Sequence, residues 1–333
     1  MSRHPFRSVV AVLLAALAPF AAAGCRADET DEGRPAASPA AGGTTAPARL
    51  AELPVPRTEV AGATWDGRLV VAGGLTLDGA ASPLVHTYDP DGDRWDEAPP
   101  LPVPLHHSAL AVLGDRLYAV GGYTNGAGGA WQPQAGTWSL GPGERTWRDE
   151  APLPGGPRGA LGAAAVGDVI VAAGGESGGT ALGRTEVYDA GRREWRPGPD
   201  LDLPREHLAV ASDGDRVYAI AGRAPGQGNF RAVQSLDPRS DEAWRDEPEV
   251  ADSRGGTGAA AVGERVCVAG GEEPAGTIAS VECLDGDRWA QAARLARPRH
   301  GLAVMGLEGR LHVVGGGEQP GLFVSGAHEA FHL

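Results

Sequence analysis

The chain has 333 residues, and its 51 glycines, 27 prolines and 5% aromatic residues are typical of a turn-rich all-β protein. Its formal net charge is −14, which disfavours nucleic acid as a partner. All 29 basic residues are arginine, so Schiff-base chemistry on a lysine is excluded.

The N-terminus has the pattern of an export signal. Arg3 and Arg7 precede an apolar run over residues 8–23, which is short for a membrane-spanning helix. The sequence Ala22-Ala23-Gly24-Cys25 resembles a bacterial lipobox, although that motif prefers Leu at the position of Ala22. We therefore expect residues 1–24 to be a lipoprotein signal peptide and Cys25 to be acylated, with the protein exported and lipid-anchored on the extracytoplasmic face of a bacterial membrane. The alternative is ordinary cleavage near Ala23, which leaves Cys25 free.

Residues 25–48 are predicted to be a disordered tether. They are rich in Ala, Pro, Gly, Thr and acidic residues and lack a periodic apolar pattern. A flexible coil of this length would hold the following domain on the order of 25 Å from the membrane.

Residues 49–333 contain one pattern written six times. Paired glycines, or an Ala-Gly equivalent, recur about every 50 residues: Gly73-Gly74, Gly121-Gly122, Gly174-Gly175, Ala221-Gly222, Gly270-Gly271 and Gly315-Gly316. Tryptophans follow five of them: Trp95, Trp147, Trp195, Trp244 and Trp289. Each copy contains apolar runs separated by tight turns such as Asp213-Gly214-Asp215, which indicates four short antiparallel strands. This period and content predict propeller blades rather than a helical solenoid.

The pattern resembles the kelch repeat. The resemblance rests on the paired glycines, an aromatic–Asp pair such as Tyr188-Asp189, the tryptophan, and an arginine sixteen residues before the first glycine. It implies a six-bladed β-propeller of four-stranded kelch-type blades. The second copy departs from the pattern, with Leu105 in place of the arginine and Trp138-Ser139 in place of the aromatic–Asp pair.

Closure of the ring is predicted from the two ends of the repeat region. The last copy ends near Phe331, at the third-strand position, and no tryptophan strand follows. Residues 49–56 match the segment that follows the tryptophan in other copies. We therefore expect the N-terminal segment to supply the outer strand of the sixth blade and to leave no open edge in the ring.

Cys267 and Cys283 lie in one copy, on neighbouring predicted strands. Because export places them in an oxidising compartment, we expect a disulfide within the fifth blade, with two small buried thiols as the alternative.

The repeated arginines are candidate ligand-binding residues. If each copy begins with its innermost strand, five arginines lie on the same rim of the central channel: Arg57, Arg158, Arg205, Arg254 and Arg299. Converging guanidinium groups suit a carboxylate or phosphate, and the kelch resemblance also implies a grip on acidic ligands. The alternative is that these arginines hold the blades together through backbone carbonyls and carboxylates.

Three further side chains are predicted near the same rim. Trp131 lies in the longest loop after a glycine pair, where it could cover a sugar or peptide or could pack onto the third blade. His107 and His207 occupy equivalent places in two copies. The pattern places no third ligand beside them, so we predict ordinary rim histidines and no metal or cofactor site.

These observations favour a monomeric, membrane-tethered binding protein that presents the rim to a protein, an acidic peptide or an anionic carbohydrate. The resemblance also implies, as an alternative, an enzyme of the anionic-sugar mutarotase or epimerase kind, and a structural part of an envelope assembly is a third. The sequence contains no nucleophile–base pair and no phosphate-binding loop, which disfavours catalysis.

Overall fold

The computed structural model describes residues 46–240 and 242–333. The predicted signal peptide, Cys25 and residues 26–45 of the predicted tether lie outside the described residues. Among the described residues, no helix is long and apolar enough to cross a membrane. The described residues belong to one compact unit.

The described residues form six four-stranded antiparallel sheets, each running from an inner to an outer strand. The innermost strands are Ala61–Trp65, Ala109–Leu113, Gly162–Val166, Ala209–Ser212, Gly258–Val262 and Ala303–Leu307. The second strands are Arg68–Ala72, Arg116–Val120, Val169–Ala173, Val217–Ile220, Arg265–Ala269 and Arg310–Val314. The third strands are Val85–Asp89, Thr137–Leu140, Thr185–Asp189, Val233–Leu236, Ser280–Asp285 and His328–His332. The outer strands of the first five blades are Arg94–Ala98, Arg148–Asp149, Glu194–Pro197, Arg245–Glu247 and Arg288–Arg294.

The innermost strands of neighbouring blades pack around a central channel, and those of the first and sixth blades also meet. These strands are rich in Gly and Ala because they converge on the channel axis. A Cβ atom added at Gly162, for example, would lie 2.3 Å from Cγ2 of Val210 in the next blade. The six-bladed propeller predicted from the repeat is therefore confirmed.

The N-terminal strand closes the ring as predicted. Ala48–Arg49 pairs antiparallel with the third strand of the sixth blade, with Ala48 opposite Ala330 and Arg49 opposite Glu329. The chain then continues beside that blade, where the Leu53 N–H donates to the Gly326 carbonyl at 2.8 Å. The strand thus includes Ala48, one residue earlier than the predicted start of the propeller.

Four blades carry a short hairpin after the glycine pair, on the side where the inner strands begin. Its strand pairs are Tyr123–Asn125 with Trp131–Pro133, Glu176–Ser177 with Thr180–Ala181, Arg223–Ala224 with Gly228–Asn229, and Glu272–Glu273 with Gly276–Thr277. One short 3-10 turn, Ala127–Gly129, lies within the first of these hairpins. These four hairpins border one end of the channel.

The apolar core is divided among the interfaces between blades. Between the second and third blades, for example, Tyr118 packs with Ile170, Tyr188 and Trp195. Outer-strand tryptophans reach back to the preceding blade, where the Trp195 indole N–H donates to Thr137 Oγ1 at 3.1 Å. Each blade is therefore covered on both faces, which explains why its central strands are apolar on both sides.

The paired glycines connect each blade to the next. In every blade the N–H of the second glycine donates to the carbonyl of the residue at the repeated arginine position of the following blade, at 2.8–2.9 Å. Gly121 and Gly122 have φ of 59° and 99°, and a Cβ atom at Gly121 would lie 2.8 Å from the Arg158 carbonyl oxygen. Glycine therefore recurs at these two positions because it adopts a positive φ without strain and lets the backbone of the next blade approach closely.

Cys267 and Cys283 are opposed on the second and third strands of the fifth blade and are joined by a disulfide. Both cysteines are fully buried within the core between the fifth and sixth blades. The bond links two strands that already pair, so it fastens the centre of this sheet.

Candidate ligand-binding site at the channel mouth

The five repeated arginines are buried inside their blades. Each has a relative exposure of 0%. Arg57 donates to the carbonyls of Gly73 at 2.5 Å and Leu84 at 2.8 Å, and Arg299 pairs with Glu329 at 2.6 Å. These guanidinium groups join the strands of their own blade, so the structure favours the scaffold interpretation over the predicted anion-binding rim. Their uniform recurrence is explained by this shared internal role.

In the second blade, apolar residues take the places of the arginine and its carboxylate partner. Strand register places Trp138 opposite Ala119, at the third-strand position that Glu186 occupies opposite Ala172 in the third blade. Leu105 and Trp138 lie in one apolar cluster. The arginine and its carboxylate partner are thus replaced together. The sequence analysis placed Trp138 at the aromatic position of the second copy. The strand register shows that Leu140 occupies that position instead.

Two residues beyond each arginine position, one residue per blade meets its neighbours around the channel axis. We call this set the channel ring; its members are Glu59, His107, Ala160, His207, Gly256 and Gly301. Each has a positive φ between 51° and 63°. From His107 onward, each N–H donates to the carbonyl of the preceding member at 2.7–3.0 Å, and the Val60 N–H closes the circle on Gly301 at 3.2 Å.

The channel ring brings together both predicted histidines and a carboxylate that the sequence analysis missed. The imidazole rings of His107 and His207 lie 4.7 Å apart, and His107 Nε2 lies 3.2 Å from Glu59 Oε2. Candidate donor atoms of Glu59, His107 and His207 all lie within 4.8 Å of one another. The overlooked signal was the offset, since Glu59 follows Arg57 by the same two residues by which His207 follows Arg205.

The residues that precede the channel ring form a second layer. His106 Nδ1 lies 2.6 Å from His107 Nδ1, and Glu206 contacts Nδ1 of His207. In the sixth blade, His300 Nδ1 lies 3.2 Å from Glu59 Oε1 and 3.7 Å from Glu272 Oε2. Each functional side chain of the ring is therefore oriented by a neighbour in this second layer.

Arg223 links the carboxylates on the hairpin side of the site. Its Nε donates to Glu206 at 2.9 Å and its Nη1 donates to Glu272 at 2.7 Å. The single guanidinium is thus shared by two carboxylates, and with Glu59 the acidic groups outnumber the arginine. The lower part of the site favours a neutral or cationic group over an anion.

Burial and local charge set the protonation states of these groups. Burial alone would raise the pKa of Glu59, but the charge of His107 and the hydrogen bond with His300 bring that pKa below its ordinary value. Burial lowers the pKa of His207, and nearby His107 and Arg223 lower it further. For His300, burial acts to lower the pKa, but the hydrogen bond and charge of Glu59 outweigh it and raise the pKa above 6.5. At neutral pH the site therefore contains an ionised Glu59 and a neutral His207.

A cavity of about 260 Å³ opens above the ring toward solvent; we call it the mouth cavity. Its lower wall includes Glu59, His107, His207, Arg223, Glu272 and His300, and its upper wall includes Leu75, Trp131 and Leu322. Trp131 is 48% exposed and its ring centroid lies 4.9 Å from that of His107. The predicted loop tryptophan therefore stands at the entrance of the cavity, beside the histidines.

The arrangement defines a class of protein: a closed six-bladed propeller with a polar, ligand-accessible mouth. The Kelch motif family matches residues 157–201. Kelch-like protein terF of Aspergillus terreus is 28% identical over 294 residues, which are 79% of this chain and 61% of that protein. Human Kelch-like protein 34 is 30% identical over 265 residues, which are 72% of this chain and 39% of that protein.

The fold has a close counterpart among solved structures. The structure of YjhT matches with a TM-score of 0.72 at 16% identity, covering 84% of this chain and 95% of that one. The chain spans less than two thirds of the length of the curated relatives terF and Kelch-like protein 34. The motif match and these relatives show that the chain is similar to kelch-repeat proteins, and the likeness to YjhT shows the propeller fold.

Proposed function

We propose that this protein is a membrane-tethered, extracytoplasmic kelch propeller that binds a protein partner at the channel mouth. One observation carries the proposal. In the described part of the chain, the large apolar side chains that are exposed all lie on the loops bordering this mouth: Leu77, Trp131, Leu322 and Phe323. A cluster of exposed apolar side chains around a polar depression is the usual form of an interaction site.

The chemistry of the mouth indicates what the partner presents. The apolar side chains surround a cavity whose lower wall carries Glu59 and Glu272, with Arg223 already paired. A partner loop that inserts a basic or neutral polar side chain would place it against these carboxylates, while its apolar residues cover Trp131 and Leu322. We favour such a partner over the acidic peptide or anionic carbohydrate that the arginines suggested, because those arginines are buried.

Site-specific photocrosslinking in the native cell envelope tests the proposal. A photoreactive phenylalanine replaces Leu322 at the mouth, and a matched control replaces Asp168, an exposed turn residue at the opposite end of an inner hairpin. We expect one discrete protein adduct from position 322, reduced at least about tenfold by Trp131→Ala. Equal adducts from both positions, or an adduct from position 168 alone, would refute a partner site at the mouth.

The proposed location has its own test. It is supported by the leader pattern, by Cys25 and by the buried disulfide, which suits an oxidising compartment. We expect the mature wild type to begin at Cys25 and to carry the mass of the acyl chains, and we expect Cys25→Ser to lack that mass. A mature wild type without this mass would contradict a lipid anchor at this residue.

An enzyme of the sugar mutarotase kind is the second candidate, favoured by the Glu59–His300 pair that faces the cavity. An acid–base pair of this kind could transfer a proton during ring opening. Exchange spectroscopy on anionic and neutral sugars would detect accelerated anomer interconversion, and a Glu59→Gln variant with unchanged exchange would exclude this role.

A further inference from the structure

The side chains at the channel ring need an explanation, since the ring conformation disfavours them. Glu59, His107 and His207 have φ of 53°, 51° and 52°, a region that β-carbon sterics make unfavourable for residues other than glycine. The equivalent residues of the fifth and sixth blades are Gly256 and Gly301, which adopt it without strain. Three blades therefore project functional side chains toward one point from strained backbone positions.

We propose that Glu59, His107 and His207 bind a divalent transition-metal ion such as Zn²⁺. The donor set consists of two imidazoles and one carboxylate, drawn from the first, second and fourth blades. His107 Nε2 and Glu59 Oε2 are 3.2 Å apart, close to the separation of two ligands on one tetrahedral zinc ion. Nitrogen donors favour zinc and other transition metals over Mg²⁺ and Ca²⁺, which prefer oxygen ligands.

The second layer has the arrangement that orients metal ligands. His106 occupies Nδ1 of His107, and Glu206 occupies Nδ1 of His207, so Nε2 is the nitrogen of each ring that remains for a metal ion. His300 holds the other carboxylate oxygen, Glu59 Oε1, at 3.2 Å and leaves Oε2 for the ion. Such outer contacts fix the tautomer and direction of metal-bound histidines and carboxylates.

The site opens into the mouth cavity, which Glu59, His107 and His207 all line. A metal ion held by three protein ligands keeps a coordination position for water or for a donor atom of a bound molecule. The ion would also neutralise part of the negative charge of the lower wall. This inference goes beyond the proposed partner binding and does not depend on it.

Metal titration of the full-length protein after chelator treatment tests the inference. We expect one Zn²⁺ bound per chain with micromolar or tighter affinity, Co²⁺ bound with visible d–d absorption, and no measurable binding of Mg²⁺. The Glu206→Gln variant should bind Zn²⁺ about 10–100-fold more weakly, because Nδ1 of His207 loses its charged partner.

The decisive variants are His107→Asn and His207→Asn. Asparagine tolerates a positive φ better than histidine, so both variants should fold at least as well as the wild type in the absence of metal. They should nevertheless lose more than about 100-fold in Zn²⁺ affinity and lose the rise in melting temperature that zinc gives the wild type. His332→Gln, an exposed histidine outside the mouth cavity, is the matched control and should bind like the wild type.

Two results would overturn the inference. One is the absence of Zn²⁺ and Co²⁺ binding by the wild type, and the other is unchanged binding by the two asparagine variants. Photocrosslinking at position 322 in the presence of chelator tests the partner site separately from the metal site. A protein adduct that forms there supports the partner site even if the metal inference fails.

Discussion

Replacing Arg158 by methionine tests whether the repeated arginines are scaffold or ligand site. Arg158 is fully buried and is paired with Glu186, which is itself 3% exposed and also accepts a hydrogen bond from the Gly155 N–H at 2.8 Å. Arg158→Met therefore leaves a buried carboxylate without its counter-charge. Removing one partner of a buried ion pair costs about 3–5 kcal/mol, which lowers the melting temperature of a domain of this size by roughly 6–15 °C.

The double variant Arg158→Met/Glu186→Gln supplies the control. The fourth blade already uses Gln234 as the partner of Arg205, at 3.0 Å, so glutamine fits this position and can still accept the Gly155 hydrogen bond. Because the double variant buries no unpaired charge, we expect it to recover about 1–3 kcal/mol relative to Arg158→Met. The assay is urea denaturation followed by tryptophan fluorescence, with circular dichroism melts. A folded Arg158→Met variant that melts within about 2 °C of the wild type would refute the scaffold argument.

Deletion of residues 45–56 removes the strand that closes the sixth blade and should lower the melting temperature by more than about 10 °C, since it exposes the edge of the last sheet; an unchanged melt would contradict closure by this segment. Replacing Cys267 and Cys283 by alanine should lower the free energy of unfolding by roughly 3 kcal/mol, because the bond closes a loop across a separation of 16 residues. Alkylation of the unfolded, unreduced protein followed by peptide mass mapping should find neither cysteine modified, and modification of both would refute the bond. Burial and the charge of Arg310 lower the pKa of His312 to about 4, and burial and His312 lower that of His328 to about 3. Below pH 6.5 the two histidines of the unfolded chain bind protons that those of the folded protein do not, so stability should fall by roughly 5 kcal/mol between pH 6.5 and 4. Urea midpoints that stay constant over this range would contradict the neutral buried histidines.

Much of the architecture could be predicted because each blade is encoded by a contiguous stretch. The glycine pairs, the tryptophans and the turns recur at fixed offsets, and each offset has a local physical cause such as a positive φ or a strand-to-blade contact. The closing strand was also predictable, since a missing strand at one end and an extra segment at the other can be counted. Where the reasoning was wrong, in the register around Trp138, the second blade had exchanged a charged pair for an apolar one, and only strand pairing shows the correspondence with Glu186.

The direction of a side chain at a repeat position was not predictable from the sequence. Arg158 and Ala160 are two residues apart, yet the first is buried inside its blade and the second belongs to the channel ring. The left-handed backbone at the ring residue turns its side chain toward the channel axis. The amino-acid sequence of a single repeat does not show that this position, and not that of the arginine, faces the channel. The sequence predicted that the repeated arginines lie on the rim, whereas the structure buries them inside the blades. His107 and His207, which the sequence also placed at the rim, belong to the channel ring.

By itself, then, the sequence determined the repeat, the number of blades, the closing segment and the position of the two cysteines, because these depend on residues that are near in the chain or on simple counting. The tertiary structure alone decided which side chains meet at the mouth. Glu59, His107 and His207 are separated by about 50 to 150 residues, and they converge because six blades close into a ring around one axis. Convergence of this kind is a property of the closed ring as a whole, which no local pattern in the chain expresses.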